Sequence, residues 1–476
     1  MEQTTYQNYT GLNVTQDNGI NLKSSLEDFL KLEYTEGLRN EFAVMDALIN
    51  SLSKDTITGK KKYKSFALGI TDNIRAIGNG DLYNIEIEDF IKAADTVDAE
   101  FDTTKLIGVF SITDEVLLKG STDGSLFDVL GDTLNRMQMG LKHTMNRYTY
   151  GSKSGLIGVI SEAEVFSADK AGANPGVQVG NKAISRDIVS IKCSNSMSIL
   201  PGMGVMIAVE TEEEGTTTYK YRQGKIWQKD DAALGKESLI VVLDPIKDGE
   251  ATAAEIGEGA KLYARQMKTG AAVEEYTGLE DIVCTTNNTI FGVDRSVFRT
   301  LNCAQKDLDG NLLTESDLRD MADHVSLITP EGANINLVCA KHAIVSTIEK
   351  QMYQFKQYSL DTAQNGFTLG RPNIKFDTFE LKKDKYAHDG TVYLLDTTKV
   401  GELLRKDFGW ITSGRETILE RRDGSEIYEA IMTKYADMYI DAWKAHACFK
   451  NVADAVGTAG LYAREVKVVN EVKHAE

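Results

Sequence analysis

The stretch Ser125–Gly151, SLFDVLGDTLNRMQMGLKHTMNRYTYG, decides the fold because its apolar residues recur at steps of four and three. This spacing predicts one apolar stripe along an amphipathic helix. The stripe consists of Leu126, Leu130, Leu134, Met137, Leu141, Met145 and Tyr148. At about 1.5 Å per residue the helix would be roughly 40 Å long, enough to back a whole sheet. We therefore predict a long helix that lies across a sheet.

Two apolar-rich runs near the C-terminus are the candidate sheet. They occupy residues 416–451, ETILERRDGSEIYEAIMTKYADMYIDAWKAHACFKN, and are joined at Asp423-Gly424. Asp-Gly between such runs is a strong signal for a β-hairpin turn. Long strands there would offer the helix a surface, which predicts an α+β body.

A second, upstream hairpin is predicted by apolar residues at every other position. Phe66, Leu68 and Ile70 alternate in one arm, and Val97, Ala99 and Phe101 alternate in the other. An isolated two-stranded ribbon is marginal in water. We therefore expect a neighbouring subunit to complete this hairpin. The alternative is that it folds back on its own body.

Other segments follow from local texture. Residues 1–24 are polar and predict an extended arm, and residues 25–52 predict an amphipathic helix that ends before a turn region, KDTITGKKKYK. Residues 152–182 predict a linker, and short runs between 183 and 268 predict a small antiparallel barrel or sandwich. Thr314 with Asp317 predicts a capped helix start. The runs INLVCA and GTVYLLD predict strands, and AIVSTIEKQMYQF predicts a helix.

Composition bounds the class of protein. The chain has 476 residues, too many for one ordinary core, and a net charge of −18 from 71 acidic and 53 basic residues. Such a surface repels phosphate backbones, although a protein can surround nucleic acid without gripping it. There is no apolar run long enough for a membrane helix and no secretion signal, so we expect synthesis and folding in the cytoplasm. The five cysteines are odd in number and scattered, which predicts buried free thiols.

No catalytic or cofactor motif was found. The chain has no phosphate-binding loop, no dinucleotide fingerprint, no zinc-protease motif and no nucleophile elbow, so an enzyme is the least favoured class. Asp307, Asp309 and Asn311 begin like a calcium loop, but Leu312 stands where the sharp turn needs glycine. We expect no cofactor and no metal.

A basic run stands out in this acidic chain: Lys60, Lys61, Lys62 and Lys64. It can be a solvated loop, or it can meet an acidic patch on a neighbour at the root of the hairpin. A third reading, an isopeptide cross-link to another subunit, needs a desolvated lysine beside a carboxylate.

The order of these segments resembles the tailed-bacteriophage major capsid proteins of the Hong Kong 97-type fold. An arm and helix and a long hairpin come first, then FSITDEVL, then a long helix ending at NRYTYG. TGLEDIV, TIFGVDRS, LTESDL, VYLLD and late strands follow. The resemblance covers residues 25–151 and 278–450. It rests on order and texture, and residues 183–268 are extra.

The resemblance implies an α+β Hong Kong 97-like capsid fold with an inserted small all-β domain. The implied parts are an N-terminal arm and helix (1–54), an extended loop (55–104), a peripheral domain with a spine helix and linker (105–182), the inserted barrel-like domain (183–268), an axial domain (269–400), return strands of the peripheral domain (401–453) and a C-terminal tail (454–476). Because the sequence starts at Met1, we also expect that no scaffolding segment has been removed.

The resemblance further implies a virion shell protein that assembles in the host cytoplasm into pentamers and hexamers of an icosahedral capsid around double-stranded DNA. Expected partners are portal, scaffold and decoration proteins. The implied intersubunit contacts are Lys60, Lys61, Lys62, Lys64, Phe66, Ile74 and Ile77 in the extended loop, and Leu38, Phe42 and Met45 in the N-terminal helix. Two alternatives stay open: an encapsulin-type compartment shell, and a phage tail or surface protein whose β-domain binds glycans through Tyr219, Tyr221, Trp227 and Tyr263.

Overall fold

The chain folds into two five-stranded sheets, a closed barrel and three helices, within the part that the structure describes. The computed structural model describes residues 48–69, 96–113, 129–166, 178–179, 182–183, 187–213, 216–230, 237–247, 249–265, 275–329, 334–353, 379–411, 420–421 and 424–453. The helices are α1 (Val129–Tyr150), α2 (Glu315–Ile328) and α3 (His342–Tyr353).

The strands in chain order are β1 (Ser53–Thr56), β2 (Lys62–Ala67), β3 (Thr96–Phe101), β4 (Thr104–Thr113), β5 (Leu156–Phe166), β6 (Gln178–Val179), β7 (Lys182–Ala183), β8 (Ile188–Cys193), β9 (Gly204–Glu213), β10 (Thr216–Asp230), β11 (Ser238–Leu243), β12 (Lys261–Ala264), β13 (Thr289–Ile290), β14 (Val293–Asp294), β15 (Ala304–Asp307), β16 (Leu337–Ala340), β17 (Glu380–Lys383), β18 (Val392–Leu395), β19 (Val400–Trp410), β20 (Glu420–Arg421), β21 (Ile427–Ile440) and β22 (Ala447–Lys450). β6 with β7 and β13 with β14 form separate two-stranded pairs.

The long helix and its sheet are confirmed. The spine sheet has the order β1-β19-β21-β20, with β4 also paired to β21. Helix α1 lies on it: a Cβ added at Gly108 of β4 would lie 3.6 Å from a methyl carbon of Leu141 and 3.7 Å from the sulfur of Met137. Near the end of the helix, Met145 packs with Ala436 of β21. The predicted turn before β21 is also present, with Gly424 at φ +75°, but the long partners of β21 are β4 and β19.

The second sheet has the order β15-β22-β18-β16-β17 and packs against α2 and α3. The predicted helix start is confirmed, since the Thr314 side chain accepts a hydrogen bond from the backbone of Asp317 and the Asp317 side chain bonds back. The predicted strands at INLVCA and GTVYLLD and the helix between them are confirmed as β16, β18 and α3. The two runs within 416–451 were predicted to form one sheet, but β22 at the end of the second run pairs with β15 and β18 of the second sheet.

Two local predictions were wrong. The turn region KDTITGKKKYK begins with a strand, because β1 pairs in parallel with β19. The predicted linker 152–182 contains β5, which pairs with β8 and β12 and so forms part of the barrel. Of the predicted helix 25–52, only its end lies within the described residues, where Leu48–Ser51 forms a single 3₁₀ turn.

The barrel is closed in the order β10-β11-β8-β5-β12-β9 and has its own apolar core. Its two stems run side by side. The backbone N–H of Ala264 donates to the carbonyl of Gly155 at 3.1 Å, and that of Glu275 donates to the carbonyl of Lys153 at 3.2 Å. The chain therefore leaves the body for the barrel and returns from it at one place.

Candidate subunit-contact surface

The hairpin formed by β2 and β3, here the loop hairpin, buries one face on its own chain. Its strands pair from Lys62 with Phe101 to Ala67 with Thr96. The ring centroids of Phe101 and Phe291 are 4.5 Å apart. The backbone N–H of Glu100 donates to the carbonyl of Phe291 at 2.8 Å. The described part of the hairpin therefore packs against its own chain, which was the alternative to completion by a neighbouring subunit.

Phe66 is part of this internal packing. Its ring centroid lies 6.1 Å from that of Trp443, and both side chains belong to the largest core of the chain. The sequence predicted Phe66 as an intersubunit contact. The structure buries it instead against the β21–β22 connection, because Phe66 points to the same side of the ribbon as Ala99 and Phe101.

Three lysines of the basic run have acidic partners in their own chain. Lys61 contacts Glu100, Lys62 contacts Asp55, and Lys64 contacts Asp441. The partners shift the pKa values accordingly: the hydrogen bond from Lys62 lowers the pKa of Asp55, and the one from Lys61 lowers that of Glu100. Partial burial lowers the pKa of Lys64, helped by the nearby Lys399 and Lys62.

A further cation fixes the turn that precedes the hairpin. The Arg405 guanidinium of β19 donates to the carbonyls of Gly59 at 2.8 Å and Lys60 at 2.6 Å, while the Lys60 side chain is exposed. Arg405 also lies 4.0 Å from Asp102. One arginine thus holds both ends of the loop hairpin against the spine sheet.

The outer face of the loop hairpin carries the groups that a neighbour could meet. Tyr63 is 64% exposed, and its hydroxyl donates to Glu100 at 3.0 Å. Ser65 donates to Asp98 across the strand pair. This face therefore presents the Tyr63 ring beside the Ser65 hydroxyl and the carboxylates of Asp98 and Glu100, with Lys61 at its edge.

The remaining predicted contact residues lie outside the described part of the chain: Ile74, Ile77, Leu38, Phe42 and Met45. The acids that pair with the lysines, and Arg405, were not predicted from the sequence. One signal was available. In an antiparallel ribbon, the acids at 98 and 100 must stand opposite residues 65 and 63, which places Glu100 next to the lysine run.

The end of helix α1 is held by a buried ion pair. The Arg147 guanidinium donates two hydrogen bonds to the Glu275 carboxylate, each 2.7 Å long. Their side chains are only 10% and 5% exposed. Glu275 belongs to the returning stem of the barrel, so this pair joins the stem to the helix.

A buried carboxylate ties the hairpin to the same junction. Asp437 of β21 accepts hydrogen bonds from the backbone of Thr277 and Met438, both at 2.8 Å, and from the Thr104 hydroxyl at 3.1 Å. Burial raises the pKa of Asp437 to about 7 and outweighs these three hydrogen bonds, which lower it. Thr104 starts β4 directly after the hairpin, so one carboxyl group links the hairpin exit, the barrel stem and the spine sheet.

Within the described ranges, no group of three or more His, Cys, Asp or Glu residues could hold a metal ion. Asp307, from the calcium-like segment, accepts a bond from the Asn451 side chain at 2.7 Å. All five cysteines are free thiols; Cys193 is half-buried and the other four are buried. No helix among the described residues is long and apolar enough to span a membrane.

Solved structures of viral and compartment shells resemble this chain over most of its length. The capsid asymmetric unit of cyanophage A-1(L) is 9% identical, with a TM-score of 0.49 over 89% of this chain and 96% of the other. The capsid of cyanophage P-SCSP1u is 10% identical, with a TM-score of 0.40 over 94% and 98%. The holo-SrpI encapsulin of Synechococcus elongatus is 8% identical, with a TM-score of 0.40 over 90% and 95%. No protein-family model and no curated protein matches the sequence. The phage capsids and the encapsulin are among the groups of proteins that the order of sequence segments resembles.

Proposed function

We propose that the chain is the major capsid protein of a tailed phage, a Hong Kong 97-type shell subunit that assembles into pentamers and hexamers around double-stranded DNA. The observation that carries this proposal is the placement of the loop hairpin. β1 before it pairs with β19, and β4 after it pairs with β21, so the hairpin starts and ends on the spine sheet. We propose that residues 70–95, between the two strands of this hairpin, contact a neighbouring subunit.

The outer face of the hairpin supports the same role. Tyrosine is enriched where interfaces bind most strongly, and Tyr63 presents most of its side chain at the root of the loop. We propose that Tyr63 and Lys60 contact the adjacent subunit, together with the predicted Ile74 and Ile77. Lys62 and Lys64 would then act by holding the hairpin in place. The residues predicted in the N-terminal helix, Leu38, Phe42 and Met45, remain proposed contacts.

The charge of the chain supports enclosure of DNA without tight binding. A net charge of −18 repels phosphates, so a shell of such subunits would let packaged DNA move against its wall. Portal, scaffold and decoration proteins are the proposed partners. The inserted barrel would be a module on the shell, since its two stems meet the body at one place.

The test is assembly of the purified chain, followed by negative-stain electron microscopy and light scattering. We expect closed particles or rings of five and six. In the informative variant an Asn-Gly turn replaces residues 68–95, between the paired Ala67 and Thr96, which keeps the β2–β3 pair and its buried face. We expect this variant to fold and to stay monomeric.

The matched control shortens another hairpin in the same way. An Asn-Gly turn replaces residues 231–237 between Asp230 and Ser238, which are paired in the barrel. We expect this control to assemble. Closed particles from the 68–95 variant would show that the loop is not needed for contact between subunits. A wild-type chain that stays monomeric with its scaffold present would remove the shell proposal, and particles loaded with an enzyme in place of DNA would favour the encapsulin alternative.

A further inference from the structure

The barrel carries an exposed group of tyrosines around one lysine, here the tyrosine patch: Tyr219, Tyr221, Tyr263 and Lys261. Tyr219 and Tyr221 are 41% and 47% exposed, while Arg222, Gly224 and Ile226 on the same strand are buried. Residues two apart on a strand point to the same side, about 7 Å apart. Both rings therefore stand on the outer surface of the barrel.

Strand register brings the other members of the patch to the same place. Tyr221 and Lys261 both pair with Ala208 of the strand between them, which offers only a methyl group. The Lys261 ammonium lies 5.3 Å from the ring centroid of Tyr219 and 3.5 Å from its hydroxyl. The nearby Tyr263 is half-buried. The result is a shallow aromatic surface with a cation at its centre.

The charge state of Lys261 sets this patch apart. The neighbouring barrel cations Lys192, Lys220 and Arg265 each pair with a carboxylate. Among the described residues, the hydrogen-bond partner of Lys261 is the Tyr219 phenol. Glu210, which pairs with Tyr219 across the strands, acts on Lys261 through its charge but forms no ion pair with it. The hydrogen bond with Tyr219 raises the pKa of Lys261, so the ammonium stays charged at neutral pH. A carboxylate on a ligand that reached this ammonium would form the direct ion pair that Lys192, Lys220 and Arg265 already have within the chain.

The ligand must satisfy both the rings and the cation. A sugar ring has an apolar C–H face that can lie on a tyrosine ring and hydroxyl groups that can bond to phenol oxygens. A carboxylate on that sugar would form a charge-assisted hydrogen bond with Lys261. We propose that the tyrosine patch binds acidic carbohydrate, with the sugar rings on Tyr219 and Tyr221 and the carboxylate on Lys261. This inference concerns the barrel and does not depend on the shell function.

The experiment titrates the full chain with a short oligogalacturonate by calorimetry, with the matching neutral oligogalactose and with polyglutamate as comparison probes. We expect binding of oligogalacturonate, at least about tenfold weaker binding of the neutral sugar, and no binding of polyglutamate. Tyr221→Ala and Lys261→Gln should each weaken the binding about tenfold. Tyr221→Phe should weaken it less, because the ring remains.

The control is Lys192→Gln, which removes a barrel lysine that already has a carboxylate partner. It should leave the affinity unchanged, and unchanged far-UV circular dichroism will verify that each variant is folded. The proposal is overturned if oligogalacturonate does not bind the wild-type chain, or if Lys192→Gln and Lys261→Gln weaken it equally. Equal binding of polyglutamate would show that charge alone is recognised, and would also overturn it.

Discussion

Replacing Glu275 by Gln should destabilise the chain more than any comparable change at a surface ion pair. The substitution keeps the shape of the side chain but leaves the Arg147 guanidinium buried without its counter-charge. Losing one partner of a buried pair costs about 3–5 kcal/mol, because the remaining charge is desolvated and uncompensated. The amide oxygen of Gln can still accept one of the two hydrogen bonds, so we expect a loss of about 3 kcal/mol, at the lower end of this range.

The control for this prediction is Glu349→Gln. Lys383 donates to Glu349 at 2.6 Å, but both side chains are partly exposed, at 23% and 32%. Water screens such a pair, and its loss should cost less than about 1 kcal/mol. Urea unfolding of both variants measures the difference, and hydrogen exchange over the last turns of α1 shows whether the loss is local. Equal losses in the two variants would refute the reasoning.

A double variant separates the ion pair from the packing around it. Arg147→Met with Glu275→Leu removes the buried charge altogether, leaves no unpaired buried amide and fills a similar volume. Replacing a buried ion pair by apolar residues is often neutral. We therefore expect the double variant to recover most of the stability that Glu275→Gln loses. A double variant less stable than Glu275→Gln would show that the guanidinium contributes through packing or other bonds.

Three further predictions concern single positions. Thr314→Ala removes the cap of α2 and should cost about 1 kcal/mol, with faster hydrogen exchange in its first turn. Gly401→Ala should lower the free energy of unfolding in urea by about 1–3 kcal/mol, because a Cβ there would clash with the Ser53 carbonyl oxygen of β1. Gly409→Ala is the control and should lower it less, since its nearest contact would be at 3.5 Å. Asp437→Asn should flatten the pH dependence of the free energy of unfolding. Because the folded chain raises the pKa of Asp437 to about 7, this carboxyl group stabilises the fold fully below the unfolded pKa of 3.8, and that contribution is lost as the pH rises to about 7. Wild-type stability should therefore fall across this window by up to about 1.4 kcal/mol per pH unit, and an unchanged slope in the variant would refute the assignment.

Periodicity predicted the elements whose buried face is regular. The stripe from Met137 to Tyr148 fixed helix α1, and alternation around Phe66 and Ala99 fixed the pairing of β2 with β3. The start of α2 could be predicted because its capping box needs only two residues three positions apart, Thr314 and Asp317. Each of these signals is local in the sequence.

The elements that were missed depend on irregular or distant pairing. β5 lies in a segment whose Gly and Ala content predicts a linker, and its register shift between Ile160 and Glu162 interrupts the alternation that indicates a strand. β1 is short and half exposed, and its strand character comes from a parallel partner, β19, more than 340 residues away in the pairing of Ser53 with Gly401. β22 was placed in the wrong sheet because a short buried strand carries no mark of its partner.

The lysines of β2 show that alternation predicts which residues share a side of a strand but not what that side contacts. Alternation places Lys62, Lys64 and Phe66 on one side of the ribbon, but it does not say whether that side meets solvent, a neighbour or the chain itself. In the structure this side meets the chain itself, since Phe66 packs on Trp443 and Lys64 forms an ion pair with Asp441. Because this side of the ribbon packs against its own chain, we place the proposed contact with another subunit on the opposite side. Lys62 and Lys64 therefore hold the loop hairpin on its own chain, and the proposed subunit contact lies on the face that carries Tyr63.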